Sequence, residues 1–243
     1  MTKLHVFSTP EALAEAAAEH VAQLAHAAVM DHGRFSVALS GGSTPRALHT
    51  RLAAEPWRDA VDWDRVHVFW GDERCVPPDH PDSNYRMARE TLLDHVPIPP
   101  AQVHRMRGEL SPAEAAAAYE AELRAFFPTV AWPAFDLVLL GMGDDGHTAS
   151  LFPGTAALAE TEHWVVANRV EKLETWRLTL TAPAINRAAH VLFLVAGTGK
   201  AERLRQVLRG PYQPTVLPSQ LIRPVSGDLV WFVDRAAASG EEG

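Results

Sequence analysis

Residues 135–154 read FDLVLLGMGDDGHTASLFPG, and this stretch decides the fold class. The run from Phe135 to Leu140 is apolar except for Asp136, the pattern of a strand buried on both faces in a parallel sheet. Gly141, Gly143 and Gly146 follow at once, so the chain can turn sharply and gather Asp144, Asp145 and His147 at the strand's carboxyl end, where open α/β sheets bind ligands. The segment fits G-x-G-x-x-G, yet a dinucleotide fold needs a long helix after the turn. Pro153 and Gly154 stop any helix within two turns, which rejects a nicotinamide site. A glycine-aspartate turn with one surface histidine is the plain alternative. Against it, Asp145 stands two residues before His147, within reach to fix an imidazole tautomer, and Thr148 and Ser150 follow in the same turn.

Outward from this stretch, three other strands end in unusual chemistry. Phe35–Leu39 is followed by SGGSTP, residues 40–45, in which Gly41, Gly42, Ser43 and Thr44 precede a helix; amides and hydroxyls there would point at an anion, with Thr44 as N-cap and Pro45 first in the helix. Val66–Trp70 runs into GDERC, crowding Asp72, Glu73 and Arg74 into one exit. His190–Ala196 runs into GTGK, with Lys200 in a first helical turn, where a cation opposes the helix dipole unless it holds an anion. Strands are also expected at 163–167 and 176–180, the second carrying Arg177 near its start. In a parallel sheet the exits share one edge, so they form one cleft with an anion-binding half and an acid–base half, suited to a phosphorylated small molecule.

The remaining segments are scaffold. Ser8 or Thr9 caps a first helix that Gly33 ends; a helix begins at Ser83 or Asn84; another from Ser111 turns Glu114, Glu120 and Glu122 to solvent; residues 217–223 are read as helical. A last strand, 228–233, leads to a tail, AAASGEEG, expected to fray. With 243 residues, 47% of them hydrophobic, and no linker or repeat, residues 1–243 are expected to form one domain, an α/β fold with a mostly parallel Rossmann-like sheet and helices on both faces.

Charge and cysteine content narrow the function classes. A formal net charge of -8 with no basic block argues against nucleic acid or an anionic membrane as partner. Cys75 is the single cysteine, which excludes an internal disulfide and a cysteine-based zinc site. No apolar leader or membrane-length run is present, so a cytoplasmic location is expected. Lys3, Lys172 and Lys200 are the only lysines among 22 basic residues. No G-x-x-x-x-G-K occurs, and Ser40 lacks the glycine that a nucleophile elbow places two residues earlier.

Taken together, SGGSTP, VFWGDERCVPPDHPDSNYRMARETLL, GMGDDGHTASLFPG, RLTLT and GTGKA resemble the 6-phosphogluconolactonase family, in that family's order and across nearly the whole chain. The resemblance implies the fold shared with glucosamine-6-phosphate deaminase and ribose-5-phosphate isomerase, and hydrolysis of 6-phosphogluconolactone in the pentose phosphate pathway without metal or organic cofactor. Carried over residue by residue, it implies His147 as general base, Asp145 as its partner and Arg74 at the lactone. It implies a phosphate site of Gly41, Gly42, Ser43, Thr44, Arg177 and Lys200, with Asp72 positioning Arg74. The nearest rival is the deaminase, which has a glutamate where this chain has Phe152 in TASLFPG. A sugar-phosphate-sensing domain of a transcription regulator would need a DNA-binding unit, for which neither the order of elements nor the acidic balance provides.

Overall fold

The structure, a computed structural model, describes residues 2–239. Its elements run β1 (Thr2–Phe7), α1 (Pro10–His32), β2 (Phe35–Leu39), α2 (Ser43–Leu52), α3 (Trp57–Ala60), β3 (Val66–Trp70), β4 (Asp72–Arg74), α4 (Asn84–Thr91) and α5 (Pro112–Phe126). The second half runs β5 (Leu137–Leu140), β6 (Val165–Val170), β7 (Thr175–Leu180), α6 (Ala182–Ile185), β8 (His190–Val195), α7 (Ala201–Arg209), β9 (Asp228–Asp234) and α8 (Arg235–Ala238). Six strands form one sheet in the order β1-β9-β8-β5-β2-β3, and every pairing is parallel.

β5 lies inside the sheet between β8 and β2, and all four of its side chains are buried, which is why its sequence is an unbroken apolar run. The interruption at Asp136 has a cause. Its carboxylate accepts from Ser36 N at 2.7 Å and Ser36 Oγ at 2.6 Å, so it ties the start of β5 to β2 and shortens the expected strand to Leu137. From β2 the chain goes to β3 on one side, whereas from β5 it goes to β8 on the other. The reversal of winding opens a crevice between the carboxyl ends of β2 and β5, and the two glycine-rich turns meet there.

A second sheet, β4-β7-β6, is antiparallel and sits apart from the first. Residue pattern alone does not separate the strands expected at 163–167 and 176–180 from the parallel sheet. Residues 171–174 are too few for a parallel crossover, so β6 and β7 must pair as a hairpin. Gly71 passes the chain from one sheet to the other: its N–H donates to Leu39 O at 2.9 Å and its carbonyl accepts from Leu180 N at 2.8 Å. One buried apolar cluster includes Leu139 from the parallel sheet and Leu178 from the antiparallel one. No helix among the described residues is long and apolar enough to cross a membrane.

Several local expectations are corrected. β1 was missed because its side chains are exposed or half-buried, leaving no apolar pattern to read. The α2 helix starts at Ser43 rather than after a Thr44 cap; Gly42, at φ 106°, holds the capping position and no side chain caps it. Lys200 closes a single 3₁₀ turn, 198–200, ahead of α7, and residues 218–221 form another short 3₁₀ turn in place of a helix. Glu120 does not face solvent, since its Oε2 accepts from Trp164 N at 2.9 Å and Val165 N at 3.1 Å. Glu122 is half-buried, its Oε1 accepting from His104 Nδ1 at 2.8 Å, whereas Glu114 is exposed as expected and accepts from Ser111 Oγ. The start of the tail expected to fray is the α8 helix, capped by Asp234; residues 240–243 lie outside the described residues.

The buried side of α2 carries a titration that matters for stability. His49 is fully buried, its Nε2 has no hydrogen-bond partner among the described residues, and desolvation, aided by the Arg46 charge, pushes its pKa down from 6.5 to about 4. The unfolded chain therefore binds a proton that the folded chain refuses between those values. Stability from this site is complete above pH 6.5 and lost as pH falls towards 4, about 3 kcal/mol in all. Urea unfolding at pH 7.5 and pH 4.5 should show that loss in the parent chain, and His49→Leu should remove most of the difference.

Candidate active site

At the carboxyl end of β5, the turn presents an imidazole and a carboxylate to each other. Asp145 Oδ1 lies 2.5 Å from His147 Nδ1 and also accepts from His147 N at 3.2 Å. The hydrogen bond from His147 is the largest influence holding the Asp145 carboxyl well below the usual carboxylate range, so it stays ionised. With Nδ1 engaged, Nε2 is the ring nitrogen left for the cavity. Phe152 stacks on the imidazole, ring centroids 4.1 Å apart and 25° between planes. On the same turn Gly143 is obligatory for a steric reason: a Cβ there would stand 2.1 Å from the His147 ring. Ala149 is held at φ 46°, an unfavourable region for a residue with a Cβ, and Ser150 beyond it is fixed by Thr179 Oγ1, 3.2 Å from its N–H.

At the carboxyl end of β2, the Gly42 cap leaves the first amides of α2 unoccupied by any side chain, while Ser43 and Thr44 hydroxyls stand at the same helix end. The dipole and free N–H groups of that end favour an anion. Gly41 is required by its neighbour: a Cβ would come within 1.9 Å of Asn84 Oδ1.

Asn84 links this turn to the charge cluster after β3. Arg74 Nη1 donates to Asn84 Oδ1 at 2.7 Å, and Asn84 Nδ2 donates to Asp72 O at 2.8 Å. Asp72, buried, accepts from Ser150 Oγ at 2.7 Å, so it fastens the β4 segment to the histidine turn and positions Arg74 through Asn84. Glu73 turns the other way. It caps α4, its two oxygens accepting from Asn84 N at 2.7 Å and Tyr85 N at 2.8 Å, while burial pushes its carboxyl up.

Arg177 is the cross-strand partner of Arg74 in the antiparallel sheet. Burial, and next the Arg74 charge, push its pKa down, and no carboxylate lies within ion-pair distance of it among the described residues. Two adjacent guanidinium groups with so little neutralisation make a receptor for an anion. At the β8 exit Lys200 Nζ lies 2.5 Å from Asp144 Oδ1.

These segments enclose one cavity of about 610 Å³, and all ten residues singled out by sequence line it: Gly41, Gly42, Ser43, Thr44, Asp72, Arg74, Asp145, His147, Arg177 and Lys200. Sequence reasoning noted Ser150 only as a hydroxyl in the histidine turn, not as the donor to Asp72, and missed Asn84, which bonds Arg74, and Lys172 and Arg203, which also line the cavity. Asn84 resembles any helix-start residue in sequence, and only its buried contacts distinguish it. Among the described residues no three His, Cys, Asp or Glu side chains converge as a metal-ligand set.

Comparisons with known proteins identify the family. Residues 8–231 match the family described as glucosamine-6-phosphate isomerases/6-phosphogluconolactonase. A Synechocystis protein named 6-phosphogluconolactonase is 46% identical over 213 residues, covering 86% of each chain. The solved structure of 6-phosphogluconolactonase from Trypanosoma brucei superposes with a TM-score of 0.88 at 31% identity, over 98% of both chains. A monomeric glucosamine-6-phosphate deaminase superposes at 0.81 but shares only 22% identity, over 98% of this chain and 99% of its own, which shows the fold alone. Fold and sequence similarity over almost the whole chain place it in the glucosamine-6-phosphate isomerase/6-phosphogluconolactonase family.

Proposed function

We propose that the chain hydrolyses 6-phospho-D-glucono-1,5-lactone to 6-phospho-D-gluconate, with His147 as general base. The observation that carries this reading is the Asp145–His147 pair, in which Nδ1 is engaged and the ring lines a cavity shared with Arg74 and the uncapped amino end of α2. A water beside Nε2 gives its proton to the imidazole as its oxygen bonds to the lactone carbonyl carbon. Charge developing on the carbonyl oxygen is met by Arg74, which Asn84 and the Asp82 carbonyl hold in place. When the tetrahedral species collapses, the bond from C1 to the ring oxygen breaks and that oxygen takes the proton back from the imidazolium. The products are a hydroxyl and a carboxylic acid that ionises in water. Gly41, Gly42, Ser43, Thr44, Arg177 and Lys200 hold the phosphate, fixing the lactone against the base.

A lactone is an activated ester, so a base, a cation at the oxyanion and a phosphate grip suffice without a covalent nucleophile. Deamination of glucosamine 6-phosphate asks more, because a proton must move between neighbouring carbons while a ring opens. Phe152, stacked on His147, offers neither a proton acceptor nor a charge for that second role. The purified protein is expected to release acid from phosphogluconolactone well above the spontaneous rate in the same buffer, and to release no ammonia from glucosamine 6-phosphate. Ammonia at a comparable turnover would transfer the assignment to the deaminase.

A further inference from the structure

The β6–β7 hairpin tip, residues 171–174, reaches the mouth of the cavity and carries Lys172 there. Lys172 Nζ lies 3.6 Å from Asp145 Oδ2, while Asp145 Oδ1 is 2.5 Å from His147 Nδ1. One carboxylate is thus divided between a cation on one element and an imidazole on another. The Lys172 side chain is 75% exposed, and an ion pair that open contributes little to folding. Its effect falls on the site's charge balance instead. A carboxylate beside an imidazole favours the imidazolium, and a cation on the other oxygen opposes that preference.

The two cations of the segment after β8 are committed elsewhere. Lys200 pairs with Asp144 at 2.5 Å, and Arg203 donates to Asp144 O at 3.1 Å and to Gln206 at 2.7 Å. His147 and Lys172 are the side chains whose interactions lower the Asp145 carboxyl. We propose that Lys172 is a positioning residue of this active site, which orients Asp145 and offsets its negative charge so that the imidazole of His147 stays free to accept a proton from water. The kinetic part of this inference rests on His147 being the base; the electrostatic part does not.

Two readouts keep those parts separate. In the substrate-free protein, the ring titration of His147 followed by ¹⁵N NMR should move to higher pH in Lys172→Met by about 0.3–0.5 unit, the size expected for one charge several ångströms away in a solvated setting. Lys172→Arg should leave it near the parent position. Thermal unfolding of all three should coincide. In the lactonase assay the acid limb of the kcat/KM profile should move in the same direction as the NMR titration. An unchanged ring titration in Lys172→Met overturns the inference. A shifted titration combined with a His147→Gln protein that keeps its kcat supports the coupling and overturns instead the assignment of His147 as base.

Discussion

Replacing His147 by glutamine should lower kcat for phosphogluconolactone by about 10²–10⁴-fold while phosphogluconate still binds, because a positioned general base contributes that much and the residues proposed to hold the phosphate lie on other elements. Glutamine keeps a polar side chain of similar reach but cannot take up a proton at neutral pH. Gly143→Ala should reproduce much of the loss without touching the histidine. Its new Cβ would stand 2.1 Å from the imidazole ring, so the ring must move off Asp145 Oδ1 or the turn must deform, and a displacement of about 1 Å at a reacting group can cost 10²-fold. Rates must be measured after subtracting spontaneous hydrolysis at the same pH, and product affinity by calorimetry. A His147→Gln enzyme with near-parental kcat would remove the histidine from the mechanism.

Arg177→Ala is expected to raise KM for the phosphorylated lactone by roughly 10- to 100-fold, from the 1.5–3 kcal/mol typical of a hydrogen bond to a charged group. Lys200→Ala should cost less. The difference lies in what each cation does in the empty site. Lys200 is paired with Asp144 at 2.5 Å and must give up that contact to reach a phosphate, which offsets part of its gain. Arg177 has the Arg74 charge beside it and no carboxylate in ion-pair range among the described residues, so a bound anion would relieve a repulsion as well as form a bond. Unphosphorylated gluconolactone should be a poor substrate for the parent protein, and the Arg177→Ala protein should distinguish the two lactones much less well. Equal discrimination by parent and variant would place the phosphate elsewhere.

How much of this was legible beforehand differs from residue to residue. The four exits could be read because each puts its chemistry directly after an apolar run. Glycine and hydroxyl residues at 40–44, and GDDGH at 143–147, are local signals that need no distant partner to be recognised. Parallel order then followed, since long helical segments separate most of the buried strands. All ten singled-out residues consequently share one cavity.

Contacts between distant residues were not legible in that way. Asp72, Glu73 and Arg74 stand side by side in sequence and read as one charge cluster. The structure gives them three tasks: Asp72 holds Ser150, 78 positions away, Glu73 caps α4, and Arg74 faces the cavity. Side chains in the short β4 strand alternate direction, and each finds a different neighbour. Arg177 was visible as an arginine in a strand, but only the antiparallel register with β4 sets it beside Arg74. Lys172 gave no signal beyond its rarity, because its place depends on a hairpin that brings it to Asp145. By itself the sequence determined the parallel sheet and the chemistry carried by its exits, through periodicity and turn residues that act over a few positions. The tertiary structure alone decided which charges neutralise one another and which are left for a ligand, because ion pairing depends on distances between segments far apart in the chain.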